Sequence, residues 1–202
     1  MSKGGVFVVS GPSGSGKDTV LSALFGVCPE LAFSISSITR AMRPGEREGE
    51  KYNFISREKF EEMIKNDLLL EHNLFVGNYY GTPREPVEKA VSEGKDIIIE
   101  VDVNGAAQIR RRLPETVTVF IMPPSFEELK RRLEGRGTES EEFIEKRLES
   151  ALNEIKRAAE YDYIIVNDDV AAAADSLLSV IKSCRLKTER QKNIIDEVLS
   201  KC

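Results

Sequence analysis

Short apolar runs alternate with stretches of helical periodicity along the chain, the pattern of an α/β protein. The first run, residues 6–9, leads into a glycine-rich loop, after which Val20, Leu21, Leu24 and Phe25 recur with helical spacing. Further runs, apolar on both faces like buried parallel strands, are residues 97–101, 117–122 and 163–166. Helical patterns flank these runs, so the sequence predicts a parallel sheet with crossover helices.

Two helix starts in the second half of the chain carry the signature of a capping box. Ser125 is followed by Glu128, and Thr138 by Glu141, with the glycine-flanked basic connector 135–137 between the two predicted helices. Such a connector is suited to act as a hinge. The second helix shares one apolar face among Ile144, Leu148, Ala151 and Ile155.

Residues from about 33 to 87 have a different pattern, with short extended pieces, one helix around Phe60 and turn-rich text at 43–45 and 77–81. This pattern predicts a small subdomain inserted between the first and second core strands. Residues 187–202 predict a short amphipathic helix of unassigned role.

Composition narrows the function classes. The net charge of −5 gives no whole-molecule attraction to a nucleic acid polymer or to a membrane, so a bound polyanion needs a local cationic cluster. No apolar stretch approaches the roughly 20 residues of a membrane span, and a cytoplasmic location is expected. Cys28, Cys184 and Cys202 lack metal-ligand spacing and predict reduced thiols. His72 is the only histidine, so a metal site built from several histidines cannot be assembled, and His72 is assigned no function.

The glycine-rich loop matches the G-x-x-x-x-G-K phosphate-binding motif and lies between a predicted strand and a predicted helix. Its residues are Gly11, Pro12, Ser13, Gly14, Ser15, Gly16 and Lys17. Glycines let successive backbone NH groups turn toward a phosphate, the helix N-terminus adds positive dipole, and the lysine reaches the outer phosphates. The alternative is a Gly/Ser loop that only caps a core helix.

Candidate magnesium ligands depart from the motif. Asp18 occupies the position where the motif has Ser or Thr, and Thr19 follows it. Mg²⁺ can instead be held mainly by ATP oxygens and water, with a carboxylate acting through water. Glu100 and Asp102 end a predicted strand, where ligands gather in doubly wound sheets, so Asp102 is a further candidate; a solvated strand end is the alternative.

A second set of motifs resembles the guanylate kinase family over about residues 6–182. The motifs stand in the family's order: residues 36–46, 52–54, Glu71, 77–82, 132–137 and 166–169. The resemblance implies a P-loop α/β core flanked by helices, with an inserted α+β subdomain that binds GMP and a helical lid. It places core segments at 1–34, 91–126 and 158–202, the subdomain at 35–90 and the lid at 127–157, within one domain of 1–202.

The same resemblance implies a GMP site. Phosphate contacts fall on Ser36, Arg40, Arg43, Tyr52 and Tyr80, and guanine contacts on Glu71, Thr82 and Asp102, with Glu100 close by. Arginine forks suit phosphate, and one carboxylate can accept both the ring NH and the exocyclic amine of guanine, whereas adenine presents an acceptor there. Each of these residues also has an alternative role when it is taken alone. The arginines can be solvated surface charges, Tyr79 and Tyr80 can be cross-strand aromatics of a hairpin, and Glu71 can be a solvated strand residue.

For the donor side, the resemblance implies that Arg132, Arg136 and Arg147 are lid arginines and that Asn167 lies near adenine. Arg131 is expected to be merely solvated. The implied reaction transfers the γ-phosphoryl group of Mg²⁺-ATP to GMP, with dGMP as a further candidate acceptor. Lys17, Arg40, Arg43 and the lid arginines then supply positioning and electrostatics.

Two other functions remain open from the sequence. One is a non-catalytic phosphoprotein-binding module of guanylate-kinase-like fold, and the other is a kinase for another nucleoside monophosphate. The presence of Lys17 and of the lid arginines favours an enzyme over a binding module. Glu71 with Thr82 favours GMP over another nucleoside monophosphate as the acceptor. A monomer or a small homo-oligomer is expected.

Overall fold

The computed structural model describes residues 3–135 and 141–200, except for the side chains of residues 141 and 143. In chain order the elements are β1 (Val6–Ser10), α1 (Lys17–Val27), β2 (Ala32–Phe33), β3 (Ser36–Ile38), β4 (Tyr52–Phe54), α2 (Arg57–Lys65), β5 (Leu69–Phe75), β6 (Asn78–Pro83), α3 (Arg84–Ser92), β7 (Ile97–Glu100), α4 (Val103–Arg112), β8 (Val117–Met122), α5 (Phe126–Glu134), α6 (Glu141–Lys156), β9 (Tyr163–Val166), α7 (Val170–Arg185) and α8 (Lys192–Leu199). Short 3₁₀ turns lie at Arg157–Glu160 and Thr188–Arg190. The mixed α/β class predicted from the sequence is confirmed.

The chain forms two compact units. Unit 1 comprises the described residues of 1–8 and 31–116, and unit 2 those of 9–30 and 117–202. Strand β1 is divided between them, and the strand order is β2-β7-β1 in unit 1 and β1-β8-β9 in unit 2. The core, subdomain and lid predicted from the sequence have other boundaries than these two units. The division into core, subdomain and lid stays a prediction.

Unit 1 combines a parallel strand pair with a second, mixed sheet. Strands β2 and β7 are parallel, with Ala32 opposite Ile97. The second sheet has the order β4-β3-β6-β5, in which β3 pairs parallel with β4 and antiparallel with β6. The fully buried side chains of unit 1 include Phe7, Ile38, Phe60, Leu70, Ile98 and Ile109. The predicted helix around Phe60 is α2, whose N-cap Ser56 accepts from the backbone NH of Lys59.

The predicted turn at 77–81 is wrong in its extent. Only Val76 and Gly77 form the turn, both with positive φ (46° and 75°), while Asn78 already begins β6. Strands β5 and β6 form an antiparallel hairpin in which Leu74 faces Tyr79. The glycine and asparagine suggested a longer turn, but the two tyrosines that follow, Tyr79 and Tyr80, pair across the hairpin with Leu74 and Asn73.

Unit 2 carries the helices predicted from capping signals. Ser125 caps α5 by accepting from the NH of Glu128 at 3.1 Å, as predicted. The face predicted for α6 packs on α5, with Leu148, Ala151, Ile144 and Ile155 against Leu129 and Leu133. Thr138, the other predicted cap, lies outside the described residues. The sequence pattern also gave α8 correctly as a short helix in the last segment.

The prediction that residues 163–166 form a strand buried on both faces is wrong. Strand β9 pairs in parallel with β8, but Tyr163, Ile164 and Val166 are 39%, 50% and 53% exposed, and only Ile165 is buried. The reason is that β9 is the last strand in the order β1-β8-β9. A run of β-branched residues reports strand propensity, whereas burial of both faces requires cover on both sides.

Two further expectations can be compared with the described residues. Cys28 and Cys184 are buried free thiols, in agreement with the prediction of reduced cysteines. Among residues 3–135 and 141–200, no helix combines the length and apolar character that a membrane span requires.

Phe60 offers a test of the core of unit 1. Its ring is fully buried and stacks on Tyr79 with 5.0 Å between centroids. Phe60→Ala is expected to lower the free energy of unfolding by about 3 to 5 kcal/mol through lost burial and a cavity. Phe75→Ala is the matched control, because Phe75 is 63% exposed; its effect should stay within about 0.5 kcal/mol. Denaturant titration measures both, and equal effects would contradict this account of the core.

Candidate active site

The predicted phosphate loop, residues 11–17, connects β1 to α1 in unit 2 as the sequence indicated. The NH of Ser15 donates to the carbonyl of Pro12 at 3.0 Å, which closes a turn at the centre of the loop. Gly16 takes the N-cap position of α1 in the left-handed region (φ 81°) and has no side chain to cap the first turn. The NH groups of that turn thus face a position where a phosphate can accept from them.

The carbonyl of Ser15 is held by two side chains from distant parts of unit 2. Asn167 Nδ2 donates to this oxygen at 2.7 Å and Arg132 NH1 at 3.2 Å. Arg132 NH2 also donates to the backbone carbonyl of Asn167 at 3.1 Å. Asn167 is buried, and its own NH donates to Met122 at the end of β8. The loop conformation is therefore tied to the strand ends beneath it.

Glycine is required at two loop positions. Gly14 has φ 89°, and a Cβ there would lie 2.9 Å from Leu129 Cδ1. At Gly16 a Cβ would collide with the side-chain amide of Asn167. Both positions combine a left-handed backbone with a close neighbour, so a larger residue would strain the loop.

Three further predicted donor-side residues can be placed. Arg147 NH2 donates to Ser13 Oγ at 2.6 Å, which brings this arginine from α6 to the loop. Lys17 Nζ lies 3.5 Å from the exposed Asp18 carboxylate. Thr19 is exposed in the first turn of α1. Arg136, predicted to be a catalytic lid residue, lies outside the described residues.

The predicted guanine-reading carboxylate is buried in unit 1. Glu71 on β5 is 4% exposed and accepts from Thr82 Oγ1 at 2.8 Å across the β5–β6 pair. Burial raises the pKa of Glu71 to about 7; the hydrogen bond from Thr82 opposes the rise, and the charge of Asp102 adds to it. This carboxyl group is thus not the solvated strand residue that the sequence left open.

Asp102 and Glu100 are both engaged in unit 1. Asp102 caps α4: its Oδ1 accepts from the NH of Asn104 at 2.9 Å and of Gly105 at 2.8 Å. Its Oδ2 accepts from Asn73 Nδ2 at 3.0 Å. Glu100 pairs with Lys51 at 3.1 Å. Asp102 is therefore an exposed helix cap that is tied to β5 through Asn73.

Arg40 is held by a carboxylate and two aromatic rings. Its NH1 and NH2 donate to Glu46 at 2.7 and 2.6 Å, and its guanidinium lies 5.4 Å from the Tyr52 ring centroid and 5.7 Å from that of Phe54. The arginine lowers the pKa of Glu46 to about 2, and the carboxylate raises the pKa of Arg40 above its usual value. The fork is thus fully charged and oriented.

The other predicted phosphate-binding residues also lie in unit 1. Ser36 is opposite Tyr52 in the β3–β4 pair, and Tyr80 is opposite Ile38 in the β3–β6 pair. Tyr80 also raises the pKa of Arg40 through a side-chain hydrogen bond. Arg43 is exposed, and its backbone NH donates to Glu46 at 2.8 Å.

The residues present fit Mg²⁺ carried by a nucleotide. Within residues 3–135 and 141–200, no group of three or more His, Cys, Asp or Glu could hold a metal ion. Mg²⁺ typically keeps several waters and takes one or two carboxylates plus phosphate oxygens, so it does not need such a group. The exposed carboxylate of Asp18 beside the phosphate loop suits a contact of this kind.

Sequence reasoning assigned no role to several residues that the structure brings into these sites. They are Glu46, Asn73, Gly105 and Gln108. Glu46 belongs to the motif quoted above, and its spacing from Arg40 was the available signal. The partner of Asn73 is 29 residues away and that of Gln108 is 36 away, so no local pattern reveals them.

Comparison with known proteins gives consistent matches across the chain. The family model described as guanylate kinase matches residues 3–184. A guanylate kinase of Desulfitobacterium hafniense is 47% identical over 184 residues, 90% of this chain and 92% of that protein. One from Escherichia coli strain K12 is 45% identical over 203 residues, covering 100% and 98%. The crystal structure of guanylate kinase from Anaplasma phagocytophilum matches with a TM-score of 0.78 and 36% identity, covering 94% of this chain and 90% of that one.

The burial of Glu71 predicts a pH-dependent stability. With a folded-state pKa of about 7 against an ordinary value of 4.5, the folded protein binds the extra proton between these pH values. The free energy of unfolding, relative to a Glu71→Gln variant, should be highest below pH 4.5 and fall by about 3 kcal/mol as the pH rises to 7. Above that it should be constant. Denaturant titrations of both proteins across this range measure it, and a pH-independent difference would contradict the buried carboxyl.

Proposed function

Because the chain belongs to the guanylate kinase family, we propose that it transfers the γ-phosphoryl group of ATP to GMP and releases ADP and GDP. The observation that carries the proposal is the complete phosphate loop, with Lys17 in place and Arg132 and Arg147 bonded to loop residues. A module that only binds phosphoproteins has no need of this donor machinery. A cytoplasmic location and a monomer or small homo-oligomer are part of the same proposal.

On the donor side, the phosphate loop binds the ATP phosphates through its NH groups, and Lys17 neutralises the outer oxygens. Asn167 supports ATP binding through the loop carbonyl that its amide holds. Arg147 and Arg136 supply positive charge to the transferring group. Mg²⁺, when bound with ATP, neutralises phosphate charge, and Asp18 and Thr19 are the residues of the loop end that would hold it, directly or through water. Asp102 remains a weaker candidate ligand, since its oxygens already accept three hydrogen bonds.

On the acceptor side, Arg40, Arg43, Ser36, Tyr52 and Tyr80 bind the GMP phosphate. Arg40 is ionised and held in place by Glu46 before GMP binds, and the phosphate exchanges with or joins that carboxylate. A phosphate oxygen of GMP is ionised at neutral pH and can attack the γ-phosphorus in line without a strong general base. Catalysis therefore consists of positioning and charge stabilisation.

Guanine is selected by Glu71 and Thr82, with Asp102 and Glu100 nearby. The Thr82 hydroxyl donates to one Glu71 oxygen and fixes the carboxylate plane. The ionised carboxylate can then accept the ring NH and the exocyclic amine of guanine together. The deoxy form dGMP presents the same base and is a second expected acceptor. A coupled assay of ADP release with GMP, dGMP, AMP, CMP and UMP tests the proposal, and no stimulation by GMP would refute it.

Lys17 and Arg136 are expected to be essential for turnover. Lys17→Ala and Arg136→Ala should each lower kcat by about 10³- to 10⁵-fold, because a cation that stabilises the transferring group is lost. Lys130→Ala and Arg131→Ala are matched controls, since these exposed side chains on α5 pair with Glu134 and Glu128. Steady-state rates within tenfold of the parent for either test variant would remove that residue from the mechanism.

Glu71 is expected to decide the choice of base. Glu71→Gln replaces a charged double acceptor by a mixed amide and should reduce the preference for GMP over AMP by about 1 to 3 kcal/mol in kcat/KM. Glu88→Gln, on the exposed side of α3, is the control for removal of a charge from unit 1. If Glu71→Gln left both efficiencies unchanged, the recognition role would be lost.

A further inference from the structure

Gln108 on α4 forms a reciprocal pair of hydrogen bonds with the backbone of His72. Its Nε2 donates to the His72 carbonyl at 3.0 Å, and the His72 NH donates to its Oε1 at 3.3 Å. His72 is the residue next to Glu71 on β5. We infer that Gln108 is a positioning residue for guanine recognition: it fixes β5, and with it the Glu71 carboxylate, against α4. The inference rests on the proposed function and extends it to a residue that touches no substrate.

Strand β5 needs such a partner because it is an edge strand. In the order β4-β3-β6-β5 it has a strand on one side only. The NH and carbonyl of His72 are satisfied by one side chain, and a primary amide is the group that can donate and accept from a single plane. Gln108 thereby replaces one residue of a neighbouring strand.

Two further ties fix α4 along the same strand. At the N-terminal end of α4, Asp102 accepts from Asn73 at 3.0 Å. At the C-terminal end, Arg112 NH1 donates to Asp67, just before β5, at 2.6 Å. Gln108 lies between these contacts, so the helix is held to the strand at three points. A shift of β5 along α4 would strain all of them.

The Glu71 carboxylate itself packs against the first turn of α4. A Cβ built on Gly105 would lie 3.0 Å from Glu71 Oε2 and 3.0 Å from Val101 Cβ. Glycine at this position thus leaves room for the carboxylate beside the N-terminal, electropositive end of the helix. The distance between α4 and β5, which Gln108 sets, therefore also sets the position of the recognising oxygens.

Position matters more for guanine than for a base with fewer donors. Accepting both the ring NH and the exocyclic amine requires both Glu71 oxygens in the base plane, within about 0.5 Å and 10 to 20°. IMP carries the same ring NH and carbonyl but lacks the exocyclic amine. A displaced carboxylate therefore loses more with GMP than with IMP, whereas general damage to the fold reduces both alike.

The first test is Gln108→Met, which keeps the length of the side chain and removes both hydrogen bonds. The ratio of kcat/KM for GMP over IMP is expected to fall about tenfold, mainly through the KM for GMP, with the KM for ATP unchanged. Arg111→Ala is the control on the same helix, because Arg111 is exposed and its Nε donates to Ala107 of α4. An unchanged ratio for Gln108→Met would overturn the inference.

Gly105→Ala separates positioning from stability. The Cβ of alanine would lie 3.0 Å from both Glu71 Oε2 and Val101 Cβ, so the carboxylate must shift, while the higher helix propensity of alanine offsets part of the cost in stability. The expected result is the same fall in the GMP-over-IMP ratio in a protein whose melting curve, measured alongside, shows that it is folded at the assay temperature. A parent-like ratio would count against the inference even if Gln108→Met did not fold. A parent enzyme without activity on GMP would instead refute the proposed function.

Discussion

The phosphate loop depends on the carbonyl oxygen of Ser15 and on the two side chains that donate to it. The NH and carbonyl of a peptide point in opposite directions, so a loop that turns its NH groups toward an anion turns carbonyls toward the protein. Those carbonyls need donors when they are buried. Asn167 and Arg132 provide them at 2.7 and 3.2 Å. The loop is thereby held open before any phosphate binds, and the cost of ordering it is met in folding.

Unit 1 solves the reverse problem, because it must bury an acceptor instead of exposing donors. A carboxylate out of water is unstable when ionised, and burial accordingly raises the pKa of Glu71 to about 7. The hydrogen bond from Thr82 and the nearby first turn of α4 partly compensate. In the proposed function, a base that donates two NH groups completes the compensation. Selectivity would then follow, since a base with an acceptor at that position leaves the carboxylate charge buried without a hydrogen-bond donor.

The sequence predicted the features that are encoded locally. The phosphate loop, the Ser125 cap and the apolar face of α6 are each specified within a few residues, and the structure has all of them. The exposure of β9 was missed, because β-branched residues signal a strand but not its neighbours. The contact between Asn167 and Ser15 joins residues 152 apart, and the one between Gln108 and His72 joins residues 36 apart. Such pairs depend on tertiary packing, which no local pattern carries.

A net charge of −5 is compatible with a function in binding polyanions, and several of the proposed phosphate-binding cations already have carboxylate partners. A phosphate that binds at Arg40 either replaces Glu46 at the guanidinium or binds beside it. The phosphate therefore meets an arginine whose charge is already paired. The net free energy of phosphate binding at Arg40 is therefore the difference between the arginine's interactions with phosphate and with Glu46. It is smaller than either interaction alone. Modest ground-state binding leaves the larger stabilisation for the transition state, where charge develops on the moving group. The pairs are Lys17 with Asp18, Arg40 with Glu46, and Arg132 with Glu128.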